Sequence, residues 1–160
     1  MEDFIIFDNL EDLDAESKYL VHKAKEASEH AYAPYSKFMV GAAALLADGK
    51  VVTGCNQENA AYPSGMCAER VALFTVGSQH ADQKIVKIAV TAKRESAKEL
   101  VPATCCGSCR QVMLEFEMRQ QNSIKVVMLN KEHHWVVAPS AESLLPFSFS
   151  KAHLEHDRGQ

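Results

Sequence analysis

The residues best suited to chemistry are the five cysteines at positions 55, 67, 105, 106 and 109. Three of them fall in two short motifs, Cys67-Ala68-Glu69-Arg70 and Cys106-Gly107-Ser108-Cys109-Arg110-Gln111, each of which follows a loop and opens a helix-period stretch. A helix N-terminus points unpaired N–H groups and the positive end of its dipole outward, which favours thiolates placed there. Cys106 and Cys109, three apart on a first turn, can face one ion together, and Cys67 can approach from the neighbouring helix. Three protein ligands and an open position form the pattern of a catalytic zinc, whereas a structural zinc is closed by four. Glu69, two residues past Cys67, can set a carboxylate beside that open position and move the proton of a bound water. Three thiolates outweigh the charge of one zinc ion, and Arg70 together with the two helix dipoles is placed to offset them.

Other uses of these residues stay open at this level. Cys55 or Cys105 could close a four-sulfur structural module with no activity, which leaves Glu69 without a purpose. Cys106 and Cys109 could cycle as a dithiol, which makes Cys67 and Glu69 coincidental. Cys55, after an apolar run ending in Gly54, reads as a small buried hydrophobe. His133 and His134 lie in a polar loop and His153 and His156 in a charged tail, so all four read as solvated surface and not as ligands.

These motifs need a scaffold. Residues 12 to 31 carry Leu13, Leu20, Val21, Ala24 and Ala27 at helical spacing, and the pattern stops near Pro34. Phe38 to Leu46 and Val51 to Cys55 are apolar runs joined by Asp48-Gly49, a β-hairpin signature. A second helix is expected from Cys67 to Gly77, a buried strand over Ile85 to Thr91, and a third helix from Cys106 to Gln121 with Val112, Met113 and Phe116 inward. Ile124 to Leu129 and Trp135 to Ala138 are further strands, and residues 142 to 145 a short helix before Pro146. Strands alternating with helices after an opening hairpin predict an α/β/α sandwich around a mixed sheet of roughly five strands.

The 160 residues fit one domain, with a core from about 12 to 149 and a tail over 150 to 160, and 47% hydrophobic content suffices for a core without disulfides. A net charge of −4 with no clustered Lys and Arg argues against a nucleic-acid partner. Met1-Glu2-Asp3-Phe4 lacks the basic, apolar character of a signal peptide, and no window is long and apolar enough for a membrane span, so a cytosolic protein is expected. An odd number of cysteines in a reducing compartment fits metal or catalysis better than disulfides.

Taken in order, Tyr32-Ala33-Pro34-Tyr35-Ser36-Lys37-Phe38, Gly41-Ala42-Ala43, Gly54-Cys55-Asn56, Glu58-Asn59-Ala60-Ala61-Tyr62-Pro63, the two cysteine motifs and Leu144-Leu145-Pro146 resemble the cytidine deaminases. The resemblance spans roughly Leu20 to Phe149. It implies hydrolytic deamination of cytidine and 2′-deoxycytidine at C4 in pyrimidine salvage, with Zn2+, one per subunit, on Cys67, Cys106 and Cys109, and Glu69 carrying protons. It also implies a homotetramer. By motif position Asn56 and Glu58 would bind the ribose 3′-hydroxyl, Phe38 would pack on the pyrimidine, and Ala68, Tyr35 and Tyr62 would line the site. Phe149 would be the aromatic lent by an adjacent subunit. From the residues alone, Phe38 and Phe149 read instead as core. One departure stands out: Cys105 occupies the place where the family usually has proline. Blasticidin S deaminases share the zinc motifs, but Asn56 to Pro63 is closer to the cytidine branch. Polynucleotide deaminases usually open their signature with His.

Overall fold

A computed structural model describes residues 3–155. In chain order the strands and α-helices are β1 (Ile5–Phe7), α1 (Ala15–Ser28), β2 (Phe38–Leu46), β3 (Val51–Cys55), α2 (Ala68–Gln79), β4 (Ile85–Arg94), β5 (Leu100–Val101), α3 (Gly107–Gln120), β6 (Lys125–Leu129) and β7 (Trp135–Ala138). They build a seven-stranded sheet in the order β1-β7-β6-β4-β2-β3, with β5 paired to the far end of β4. β4 and β6 run parallel and every other pairing is antiparallel, so the sheet is mixed as expected. The β2–β3 hairpin turns at Gly49, whose φ of 89° is the left-handed region that glycine enters without penalty.

Alternation along the strands sorts the core into two halves, since successive side chains leave opposite faces. On one face Leu20, Val21 and Ala24 of α1 meet Ala43, Ala89, Val127 and Trp135. On the other, Ala72, Leu73 and Val76 of α2 and Met113 and Phe116 of α3 meet Ala42, Leu46, Ile88, Val90 and Val126. Each large aliphatic side chain fully buried this way contributes roughly 1.5–3 kcal/mol. Helices therefore cover both faces, which is the expected three-layer sandwich.

Polar contacts fix how the layers sit. The α1 face of β4 carries Lys87 and Lys93, both nearly buried. Lys87 Nζ reaches Ser17 Oγ at 3.0 Å and Glu16 Oε1 at 2.9 Å, and Lys93 pairs with Glu29. α1 passes so close to β2 at Gly41 that a Cβ there would fall 1.8 Å from the Ala24 carbonyl oxygen. On the opposite face the buried Glu117 carboxylate accepts from the Ile124, Ala141 and Glu142 amides at 2.6, 2.8 and 2.9 Å. α3 is thereby tied to the start of β6 and to the 3-10 turn at Glu142–Leu144.

Several expectations change. The sheet has seven strands where about five were expected, because β1 and β5, of three and two residues, are too short to carry a periodic signal. β4 continues past Thr91 to Arg94, since Ala92 and Lys93 pair with β2 on one side and β5 on the other. The first helix spans 15–28 rather than 12–31. Leu10–Asp12 forms a separate 3-10 turn, and Asp14 caps α1 by accepting from the Ser17 amide at 2.8 Å. α2 runs through Gly77 instead of stopping there. A Cβ at Gly77 would lie 3.1 Å from the Arg119 guanidinium and 3.3 Å from the Phe116 ring, so this glycine serves the α2–α3 contact.

Candidate active site

The site is built where α2 and α3 begin. A Cβ on Gly54 would lie 2.6 Å from both the Ala68 carbonyl oxygen and the Ala72 amide nitrogen, so α2 rests with its backbone directly on β3. That contact sets the position of Cys67, the N-cap of α2, while Cys106 is the N-cap of α3 and Cys109 lies in its first turn. The Cys67 and Cys106 sulfurs are 3.7 Å apart and those of Cys106 and Cys109 3.4 Å, with all three within 4.8 Å.

This donor set suits zinc. With zinc–sulfur bonds of about 2.3 Å and tetrahedral angles, ligand sulfurs stand about 3.8 Å apart, close to the separations seen. Cys109 is buried, Cys67 half-buried and Cys106 exposed, so one side of the triangle faces solvent. Among the described residues no fourth cysteine or histidine joins the group. Cys105 is buried in the core next to Glu69, and Cys55 sits half-buried on β3, where it accepts from Gln57 Nε2. A four-sulfur closed site is therefore not formed.

Electrostatics favour a thiolate at the helix start. Hydrogen bonding from the Cys109 thiol, opposed by partial burial and helped by Arg70 and Cys106, brings Cys67 down to about 5. Hydrogen bonding with Cys67, together with burial and the Glu69 charge, shifts the Cys109 thiol upward. Arg70 Nη2 lies 3.4 Å from Cys67 Sγ. Glu69 is 4% exposed, and burial, reinforced by the Cys67 charge, raises its carboxyl above the ordinary range. Burial, together with the Glu69 charge, raises the Cys105 thiol.

In front of the sulfurs opens a cleft of about 620 Å³, lined among others by Phe38, Val40, Asn56, Glu58, Glu69 and Val90. It falls in the 300–1,000 Å³ range typical of small-molecule sites. Of the residues expected from the sequence, Tyr35, Tyr62, Cys67, Ala68, Arg70 and Cys106 also border it. Tyr35 and Tyr62 pack edge to face at 6.2 Å. The Asn56 carboxamide is partly committed: it accepts from the Val40 amide and donates to the Phe38 carbonyl, both at 2.9 Å. Glu58 accepts from Ser36 Oγ at 2.6 Å and from the Tyr35 and Ser36 amides. The Ser36 hydroxyl, against slight desolvation, holds its carboxyl below the ordinary range.

Phe149 does not line this cleft. It is 55% exposed, stacks on His153 at 5.2 Å, and its carbonyl accepts from Gln111 Nε2. The reading of Phe149 as core is thus corrected, and that of Phe38 likewise, since it is half-buried at the cleft wall. His133 and His153 are exposed, and His134 is half-buried and 3.7 Å from Asp8; His156 lies outside the described residues. The motif reading missed how Ser36 clamps Glu58. It also missed Arg110, which donates to the Cys105 and Leu144 carbonyls and so joins the loop before Cys106 to the C-terminal segment. No local signal marks the Ser36–Glu58 and Arg110–Leu144 contacts, whose partners lie 22 and 34 residues apart in the chain.

Among the described residues no helix is long and apolar enough to cross a membrane. Residues 14–125 match the model of the cytidine and deoxycytidylate deaminase zinc-binding region. The chain is similar to the cytidine deaminase of Sporosarcina psychrophila, 40% identical over 137 residues, which are 86% of this chain and 93% of that protein. It is also similar to that of Halalkalibacterium halodurans, 50% identical over 96 residues, 60% of this chain and 68% of that protein. The crystal structure of cytidine deaminase from Burkholderia pseudomallei superposes with a TM-score of 0.68 at 41% identity, covering 86% of this chain and all (100%) of that one. A triangle of thiols at two helix starts, a buried glutamate beside it and this breadth of similarity together mean that the chain belongs to the cytidine and deoxycytidylate deaminase zinc-binding family.

Proposed function

We propose that this chain hydrolyses free cytidine and 2′-deoxycytidine to uridine and 2′-deoxyuridine with release of ammonia. The observation that carries this reading is the Cys67–Cys106–Cys109 triangle bordering the cleft, with the Glu69 carboxyl buried beside it on the same helix turn. Zinc held by these three sulfurs supplies the Lewis acidity that makes a water molecule nucleophilic near neutral pH.

The chain's own groups do the rest. Glu69 takes a proton from the attacking water and passes it to N3 of the pyrimidine, then takes the second proton from the new C4 hydroxyl and gives it to the amine, which departs as ammonia while the C4 carbonyl forms. Its burial excludes competing solvent, and its raised proton affinity suits a group that must hold a proton between two transfers. Arg70 offsets the charge of the sulfurs. Phe38 forms the wall on which the base packs, with Ala68 at the start of α2 and Tyr35 and Tyr62 at the rim. Glu58, already oriented by Ser36, and Asn56, whose carboxamide retains one free N–H and one free lone pair, accept and donate to the ribose 3′-hydroxyl.

Phe149 is exposed on its own subunit and does not line its own cleft, which fits donation to a second copy in a homotetramer. We read residues 1–160 as a single cytosolic domain acting in pyrimidine salvage, with β1 at Ile5–Phe7 part of its sheet.

The test is to follow conversion of cytidine by ultraviolet absorbance with zinc-loaded protein and with a Glu69→Gln variant whose zinc content is measured. Loss of about 10²- to 10⁴-fold in kcat with zinc retained is expected. A variant that keeps full activity removes Glu69 from the mechanism, and zinc-loaded wild type inert toward cytidine removes the substrate.

A further inference from the structure

Phe38 and Arg94 are directly opposed across the antiparallel β2–β4 pair. Both lie on the sheet face that builds the cleft. Val40 and Val90 line the cleft, and side chains at even spacing from them along each strand, Phe38 on β2 and Arg94 on β4, leave the same face. The Arg94 guanidinium lies over the Phe38 ring, 5.0 Å from its centroid. Phe38 borders the cleft and Arg94 does not, so the cation covers the ring from outside the space a ligand would fill.

The Phe38 backbone is held as well. Its amide donates to Ser36 Oγ at 3.1 Å and its carbonyl accepts from Asn56 Nδ2 at 2.9 Å. Lys37, before it, adopts a φ of 58°, accepts from the Glu95 amide and pairs with Glu95 at 3.8 Å. Main-chain anchoring leaves the ring's χ angles as the remaining freedom, and a ring at a strand end has few neighbours to restrict them. Among the described residues Arg94 forms no ion pair with a carboxylate, although Glu95 is adjacent; its partner is the ring.

We propose that Arg94 is a positioning residue for substrate binding: its guanidinium backs the Phe38 ring and holds it in the orientation that receives the pyrimidine. The proposal rests on the reading of Phe38 as the base-packing wall. A wall that contacts the base equally before and during reaction contributes uniform binding, so its disturbance appears in KM and not in kcat.

The experiment is steady-state cytidine kinetics on zinc-loaded protein for wild type, Arg94→Ala, Arg94→Lys, Phe38→Leu and the Phe38→Leu/Arg94→Ala double variant, with melting temperatures in parallel. Arg94→Ala should raise KM about two- to five-fold, the scale of an exposed cation–π contact, at unchanged kcat and melting temperature. Arg94→Lys, still cationic but not planar, should fall between it and wild type. In the Phe38→Leu background, removing Arg94 should change nothing further. An unchanged KM in Arg94→Ala overturns the proposal, as does an equal rise in both backgrounds, which would mean that Arg94 acts without the ring. If Phe38→Leu itself has the wild-type KM while Arg94→Ala does not, the reading of Phe38 fails separately.

Discussion

Arg70 Nη2 stands 3.4 Å from Cys67 Sγ, one turn further along α2, and is the cation in hydrogen-bond contact with the sulfur cluster. Three thiolates on one zinc ion are electron-rich, and a hydrogen bond from a guanidinium withdraws charge from one of them. Arg70→Gln should retain zinc at wild-type stoichiometry yet lose about 10- to 100-fold in kcat/KM. Metal analysis beside kinetics checks this, and a variant with full activity would make Arg70 a packing residue only.

The close approach at Gly54 gives a second prediction. Gly54→Ala places a methyl group 2.6 Å from two backbone atoms of α2, which cannot move aside as a side-chain tip can. Overpacking of this kind costs about 1–3 kcal/mol, read from urea denaturation. Because the displaced turn carries Cys67 and Glu69, kcat should fall along with stability. Gly49→Ala, at a turn with open space around it but a φ of 89°, should destabilise without touching kcat.

Cys105 takes the place of the usual proline and lies outside the ligand triangle. Its amide donates to no protein group among the described residues, so the N–H that proline lacks is not missed here. Cys105→Pro is expected to keep one zinc per chain and wild-type activity. Loss of zinc in that variant would overturn the assignment of Cys106 and Cys109 as the paired ligands.

Asp14 ties α1 to its own first turn and to β4. Partial burial works against ionisation, but the Ser17 amide and hydroxyl and the Lys87 ammonium outweigh it and hold the carboxyl below its ordinary value. A depressed carboxyl stabilises the fold fully above its unfolded-state value of about 3.9 and ceases to do so as pH falls through the folded value. Asp14→Asn keeps the capping geometry and removes the charge. The variant should be less stable by about 0.5 kcal/mol at pH 7, and the gap should close towards pH 3. A gap independent of pH would assign the effect to packing.

Part of this molecule could be read from short stretches of chain. The hairpin at Asp48-Gly49 and the strand at Trp135 to Ala138 depend on turn chemistry and on short apolar runs, both local. The ligand cysteines were readable for the same reason, since a helix start is defined by residues within one turn. Gly77 was misread because a glycine in a helical pattern looks the same whether it ends the helix or admits a neighbour. Lys87 and Lys93 carry no mark of burial, as their acidic partners, Glu16 on α1 and Glu29 at its C-terminal cap, are far away in sequence.

The chain alone thus determined which sulfurs can hold a metal and where a carboxylate stands beside them, because cysteine spacing, capping position and the Glu69 offset are properties of single turns. Only the tertiary structure decided that the two turns meet with sulfurs 3.7 Å apart, that Cys105 stays out, and that Arg94 backs Phe38. Those outcomes depend on strand order and on glycine contacts between layers, which arise from closure of the whole sheet and leave no local trace.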